Sequence, residues 1–431
     1  MVNQVVQQNR IVIVGSGFGG LNVVKSLKKA ANCKITLIDK TNYHLFQPLL
    51  YQVATAALSP SDIAMPIREI FRNLPNVETL MGTVMAINKH DKTILLESGE
   101  VVPFDNLIIA TGARHSYFGK NHWEVFSPGL KTLQDAVNIR ERILASFELA
   151  ERSHDKEGMD KYLRFIIIGG GPTGIEMAGA IAEIAHQSLN KNYRRVDPRK
   201  AQIYLLEGGT QLLAGYPASM AMRAKQDLEK MGVTVKLNSL ATEITEEGVY
   251  LGNEFLVAHN IIWAAGNEAS PLLKTLNVPL DKQGRVIVET DLSVPHYPDI
   301  FVIGDAACFM DQNGRALPAV APVAVQQGVY VGKMIGKQVK KETRKPFRYV
   351  DRGMMATIGK YKALVMSGPF KCTGFLAWMA WCFIHIYFLI GYRTKFFVFA
   401  QWVFYFFWGH RNVRLIFKPL HIKPDDEEFI S

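Results

Sequence analysis

One glycine pattern occurs twice in this chain, each time in the same local setting, and nothing else in the sequence constrains the fold as tightly. Arg10 to Val14 reads as a short buried strand, followed by Gly15-Ser16-Gly17-Phe18-Gly19-Gly20, a helical stretch to about Lys29, and a second strand from Ile35 to Asp39. Leu163 to Ile168 is again a buried strand. It leads into Gly169-Gly170-Gly171-Pro172-Thr173-Gly174, a helix to about His186, and a closing strand from Ile203 to Glu207. Each half also has a later apolar strand that runs into a small-residue turn, Leu107 to Gly112 in the first and Ile261 to Gly266 in the second. A third such strand, Ile300 to Ile303, ends in Gly304-Asp305.

This internal duplication predicts an α/β chain with two Rossmann-like domains, one inserted in the other. The expected layout assigns residues 1–125 and 290–345 to the first domain and 126–289 to the second. Residues 346–431 then form a separate helical C-terminal region.

A G-x-G-x-x-G turn has a reason for each glycine. The first allows the tight strand-to-helix turn, the second lets backbone approach a pyrophosphate, and the third lets helix and strand pack closely. Gly15, Gly17 and Gly20 meet this plan, and so do Gly169, Gly171 and Gly174. Each second strand ends in an acid, Asp39 or Glu207, placed to accept hydrogen bonds from ribose hydroxyls and to repel a 2′-phosphate. Glu207 therefore favours NADH over NADPH, and the polar stretch Asn190 to Lys200 explains the long spacing before it. Two such domains imply two nucleotides. A resident flavin paired with a transient NADH would let electrons continue to another acceptor.

On these motifs the chain resembles the two-dinucleotide-domain flavoproteins of the pyridine nucleotide-disulfide oxidoreductase superfamily. Within it, the chain resembles the type II, non-proton-pumping NADH:quinone oxidoreductases, and the likeness runs from Arg10 to about Ile358. The resemblance implies tightly bound FAD at Gly15, Gly17, Phe18, Gly19, Gly20, Asp39, Lys40, Thr55, Val84, Ala110, Thr111, Gly112 and Asp305. It implies NADH as substrate at Gly169, Gly171, Gly174, Glu207, Ala265 and Gly266. Phe46 to Thr55 is similar to a family stretch that lies along the flavin. Pro318 to Gly328 resembles an A-Q-x-A-x-Q quinone motif: Ala321, Ala324 and Gln326 match, and Pro322 replaces the first Gln. Together with Gln52 they form the implied quinone site. Glu176, expected in the first turn of its helix, is the implied catalytic carboxylate, assisting proton delivery to the quinone. Read without the family, these segments are also compatible with a core segment, a helix start with a small-residue packing face and a helix-dipole carboxylate.

The four cysteines, Cys33, Cys308, Cys372 and Cys382, form no C-x-x-C pair, which argues against a disulfide framework and against a metal site. Lys40 to Thr55, where disulfide reductases of the superfamily keep a redox pair, has no cysteine. Electrons are then expected to leave the flavin directly for the acceptor.

Net charge is +10, and no zinc, helix-turn-helix or RNA-motif signature accompanies it, so nucleic acid is excluded as the expected partner. Cys372 to Tyr392 has no Asp, Glu, Lys or Arg, and a second aromatic run, Phe396 to Trp408, follows Arg393-Thr394-Lys395. One reading is a spanning helix. The other, favoured by the aromatic density and interspersed bases, is a pair of helices lying on a membrane lipid surface. A soluble dimerisation element and a homodimer stay open. His385 and His410 read as packing or interfacial residues, and Asp425 to Glu428 as a solvated tail. The expected protein is a monotopic, peripheral enzyme on the cytoplasmic side of the inner (cell) membrane. The alternative is a soluble NADH-dependent reductase of a small redox protein such as ferredoxin or rubredoxin.

Overall fold

The computed structural model describes residues 8–30, 32–409, 411 and 413–417 of the 431. His410 and the acidic residues 425–428 lie outside the described residues. The chain divides into two compact units, each assembled from three separate segments.

The first unit comprises Met1–Leu45, Ala64–Arg114 and Asn267–Arg352. Its sheet has the strand order Ser293–Val294, Tyr297–Val302, Asn106–Ile109, Asn9–Val14, Cys33–Asp39, Val77–Met81. The last five strands run parallel, and only the short edge strand is antiparallel. The central strands are near-continuous Ile, Val and Leu because helices cover a parallel sheet on both faces. Helix Phe18–Leu27 packs on helix Ala321–Gly336 at a distance that only glycines permit. A Cβ on Gly328 would lie 2.4 Å from the Gly19 carbonyl oxygen, and one on Gly332 2.9 Å from that of Val23.

The second unit comprises Phe46–Ile63, His115–Gly266 and Gly353–Ser431. Its parallel sheet has the order Val233–Lys236, Gln202–Leu206, Arg164–Ile168, Asn260–Trp263. The duplication extends beyond the glycine loops. Each unit has its own antiparallel three-stranded meander: Val84–Asn88, Thr93–Leu96 and Val101–Pro103 in the first, and Glu243–Ile244, Gly248–Leu251 and Glu254–Val257 in the second.

The expected layout kept residues 346–431 apart, but residues from Gly353 onward group with the second unit. The physical link is a third three-stranded antiparallel sheet, Met354–Gly359, Lys362–Ser367 and Phe370–Gly374. Helix Pro172–Glu183 lies against its first strand so closely that a Cβ on Gly179 would come 2.5 Å from the Ile358 carbonyl oxygen. Two helices follow, Phe375–Phe388 and Tyr392–Trp408, of 14 and 17 residues, separated by a break at Gly391. Among the described residues no helix is long and apolar enough to cross a membrane. The charge-free run from Cys372 begins inside a strand, which shortens its helical part below the ~20 residues a span needs. Both helices expose large apolar side chains, Phe383 at 72% and Phe396 at 66% among them.

Candidate functional site

In the first unit the three glycines of the loop meet three different demands. Gly15 has φ +104°, and a Cβ there would sit 2.3 Å from the Ala110 carbonyl oxygen. A Cβ on Gly20 would lie 1.9 Å from the Gly15 carbonyl oxygen. A Cβ on Gly17 would meet nothing within 4 Å. The first and third glycines are thus required by the protein's own backbone, while the second faces open space where a phosphate group can approach. The second unit repeats this arrangement. Gly169 has φ +114° and is crowded by Ala264 and Ala265 at 2.8 Å, Gly174 would clash with the Gly169 carbonyl oxygen at 1.8 Å, and Gly171 is open. The small-residue turns at Ala110-Thr111-Gly112 and Ala264-Ala265-Gly266 are therefore the walls against which the two loops fold.

The two acids differ. Asp39 receives four hydrogen bonds, from Ser16 N–H (2.6 Å), Ser16 Oγ (2.8 Å), Thr41 N–H (2.8 Å) and Thr41 Oγ1 (2.9 Å). A ribose hydroxyl at Asp39 would displace one of the two rotatable hydroxyls. Glu207 receives only Gly170 N–H and Gly209 N–H, each at 2.7 Å, which leaves lone pairs on both oxygens for a ribose diol.

His44, which the sequence reading passed over, holds the other side of the first loop. It is buried, burial lowers its pKa, and Nδ1 lies 2.7 Å from the Ser16 carbonyl oxygen, so the neutral ring donates there. Ser16 is gripped from both sides, and no local pattern announced it because His44 lies 28 residues away along the chain. Thr111 Oγ1 is buried without a hydrogen-bond partner. An open glycine and an orphaned hydroxyl in the same loop cluster fit a bound dinucleotide cofactor. Lys40 is exposed, while Val84 is buried in the core of the first unit. Thr55 groups with the second unit, where it closes helix Leu50–Ala54 and its hydroxyl donates to the Tyr51 carbonyl at 2.8 Å.

Gly304, at φ +68°, begins the turn that carries Asp305. Its N–H donates to Gln327 Oε1 at 2.6 Å, and Ala324 packs under it. Gln327 is buried and was missed, although it lies three residues after Ala324 on the same helix face. Gln326 points elsewhere. Its amide donates to the Val350 carbonyl at 2.9 Å and accepts from Val350 N–H at 3.0 Å, so a quinone carbonyl would have to compete for it. Ala321 begins the helix, and Pro322 occupies its first turn, where a missing N–H costs nothing.

Glu176 needs one correction. Helix Pro172–Glu183 is capped by Gly171, so its first turn contains no acid and Glu176 falls in the second. The helix N-terminus acts strongly only over the first turn, so it does not explain this carboxylate. Burial pushes the Glu176 carboxyl up to about 8, opposed by a backbone hydrogen bond from Thr357. Tyr51 and Tyr216 lie within its electrostatic reach, and the Tyr216 hydroxyl is buried without a partner. In the same unit, Gln52 donates to Tyr51 Oη at 2.9 Å and accepts from Trp402 Nε1 at 2.8 Å. His385 is buried against Trp381, with its pKa lowered to about 4 by burial.

None of the four cysteines is in a disulfide, and no metal-competent cluster occurs among the described residues. Each unit therefore holds a glycine cradle with an acid beside it, and the second unit also holds Glu176, whose half-buried carboxyl is pushed up to about 8.

Residues 9–328 match the family model of the pyridine nucleotide-disulphide oxidoreductases, and the chain belongs to that family. Its relatives narrow the position. It is 40% identical over 411 residues to the type II NADH:quinone oxidoreductase Ndh of Mycobacterium tuberculosis, covering 92% of this chain and 88% of that one. It is 41% identical to NdhA of the same organism, covering 92% and 86%. The fold also matches the solved structure of NDH2 from Plasmodium falciparum in complex with NADH, with TM-score 0.86 and 20% identity over 94% of this chain and 99% of that one. Within the family the chain is a member of the type II NADH:quinone oxidoreductases.

Proposed function

We propose that this protein is an FAD-dependent NADH:quinone oxidoreductase that works at a membrane surface without pumping protons. The observation that carries the reading is the half-buried carboxyl of Glu176, raised to about 8, in the unit whose glycine cradle and Glu207 suit NADH. FAD, when bound, would supply the acceptor for the hydride of NADH and the two-electron donor to a quinone. Gly17, Thr111 and Asp305 in the first unit are the residues suited to hold it, with Asp39 and His44 bracing the loop. Gly171 and Glu207 bind and select NADH. Glu176 stays protonated near neutral pH and can give a proton to a reduced quinone. Ala324 keeps the wall beside the Gly304 turn thin, and Gln52 offers an amide held by Trp402.

Membrane attachment is supported by the exposed aromatic side chains of Phe375–Phe388 and Tyr392–Trp408, with Arg393 and Lys395 near the start of the second helix. Such an enzyme would be peripheral, on the cytoplasmic side of the cell membrane, and a homodimer is compatible with it. A soluble reductase of ferredoxin or rubredoxin would have no use for these helices.

Stopped-flow spectroscopy tests the proposal. NADH should bleach a bound flavin, and a chase with ubiquinone-1 should restore its colour. A flavin that NADH leaves oxidised, or a reduced flavin indifferent to the quinone, would refute it.

A further inference from the structure

Helix Pro172–Glu183 carries Glu176 in its second turn and Glu183 at its end. Glu183 is only 4% exposed, and it anchors the end of the described chain. Arg411 Nη2 donates to Glu183 Oε2 at 2.7 Å, and the Tyr405 hydroxyl donates to the same oxygen at 2.7 Å. The Lys360 N–H donates to the other oxygen. The second arm of the Arg411 guanidinium, Nη1, donates to the Thr55 carbonyl. Thr55 closes the short helix that carries Gln52, and Gln52 is in turn held by Trp402. Further along, Arg414 Nη1 donates to the Ser188 carbonyl at 3.0 Å, and Ser188 Oγ to the Gly409 carbonyl at 3.3 Å. All these groups belong to one compact unit.

An ion pair this dry adds little net stability. The desolvation of two charges offsets their attraction, and well-packed apolar residues often serve the fold as well. Arg411 even leaves its Nε buried without a partner. What the guanidinium supplies is geometry, because its planar fork fixes two acceptors at a set distance and angle. Here the two acceptors are the end of the Glu176 helix and the end of the Gln52 helix.

We propose that Arg411 is a positioning residue for quinone reduction: its fork locks the Glu176 helix, the Gln52 segment and helix Tyr392–Trp408 into one arrangement. This rests on the reading of Glu176 and Gln52 given above. Loss of the fork should let these parts shift by a fraction of an ångström to an ångström, enough to damage the quinone step while leaving the glycine cradles intact.

The test is half-reaction kinetics on the full-length holoenzyme, with NADH as reductant and ubiquinone-1 as oxidant. Arg411→Met alone would strand a buried Glu183 charge, so the informative variant is the double replacement Glu183→Gln with Arg411→Met. Flavin reduction and the KM for NADH should stay within about twofold of wild type, while the KM for quinone rises about tenfold. Arg411→Lys, which keeps the charge but loses the fork, should recover part of the loss. Tyr405→Phe, which keeps the ion pair, should stay near wild type. An unchanged quinone KM in the double variant, or a parallel fall of both half-reactions, would overturn the proposal. If the double variant does not fold, Arg411→Lys decides, and a quinone KM equal to wild type overturns it. A wild-type flavin that ignores ubiquinone-1 would instead remove the underlying reading and this proposal with it.

Discussion

At the scale of single residues, surroundings give two glutamates in one unit different work. Glu207 accepts two backbone N–H groups and keeps capacity for a ribose. Glu207→Gln should therefore raise the NADPH-to-NADH ratio of kcat/KM by roughly tenfold, by removing the charge that repels a 2′-phosphate. An unchanged ratio would count against its ribose role. For Glu176 the folded-state value lies near 8, above the ordinary 4.5, so the folded protein holds this proton more tightly than the unfolded chain. The sign follows: this contribution to stability is complete below the ordinary value and is lost as pH rises through about 8. Melting temperatures across that window should fall for wild type more than for Glu176→Gln. Quinone-linked flavin reoxidation should also slow above pH ~8, and a rate flat to higher pH would discard the proton role. The glycine pattern was legible in the sequence because Gly15 and Gly169 take a left-handed backbone and Gly20 and Gly174 press on the carbonyl five residues before them, constraints that fix the spacing locally. His44, Gln327 and Arg411 were not, because their partners lie 28, 23 and 228 residues away.

At the scale of elements, the buried parallel strands announced themselves as unbroken apolar runs. The two meanders did not, because strands of two to five residues with mixed burial carry too little period to read. The C-terminal run allowed a single spanning helix or a pair of interfacial helices, with its aromatic density and interspersed bases favouring the pair. Gly391, at φ +86°, and the strand ending at Gly374 decide for two short helices. Their exposed faces give a direct expectation. Phe383→Glu with Phe396→Glu should cut co-sedimentation with anionic vesicles by at least tenfold, since each buried aromatic contributes about 1.5–3 kcal/mol. NADH-driven flavin reduction should be unaffected. Undiminished sedimentation would refute attachment through these helices.

At the scale of the whole chain, each unit draws on three separate segments, so neither can be excised as a continuous fragment. The C-terminal residues look like an appendage in the sequence, yet Met354–Gly359 packs on the Glu176 helix, and Arg411 neutralises a buried carboxylate there. Truncation after residue 370 should therefore do more than detach the protein from vesicles. It removes most of strand Phe370–Gly374, both aromatic helices, and the Tyr405 and Arg411 groups that hold Glu183. The expected result is a sharply lower melting temperature or insoluble protein. A truncated form as stable as the full chain would show that the ion pair is dispensable to folding.

Gly17 and Gly171 stand apart from the four glycines that flank them in the two motifs. The protein itself raises no objection to a side chain at either place. A single added methyl at either place meets no protein atom, so its steric effect falls on a guest molecule. Gly17→Ala would ask whether the first cradle is filled, and Gly171→Ala the second, with the melting temperature of each variant accounting for the change at its helix N-cap.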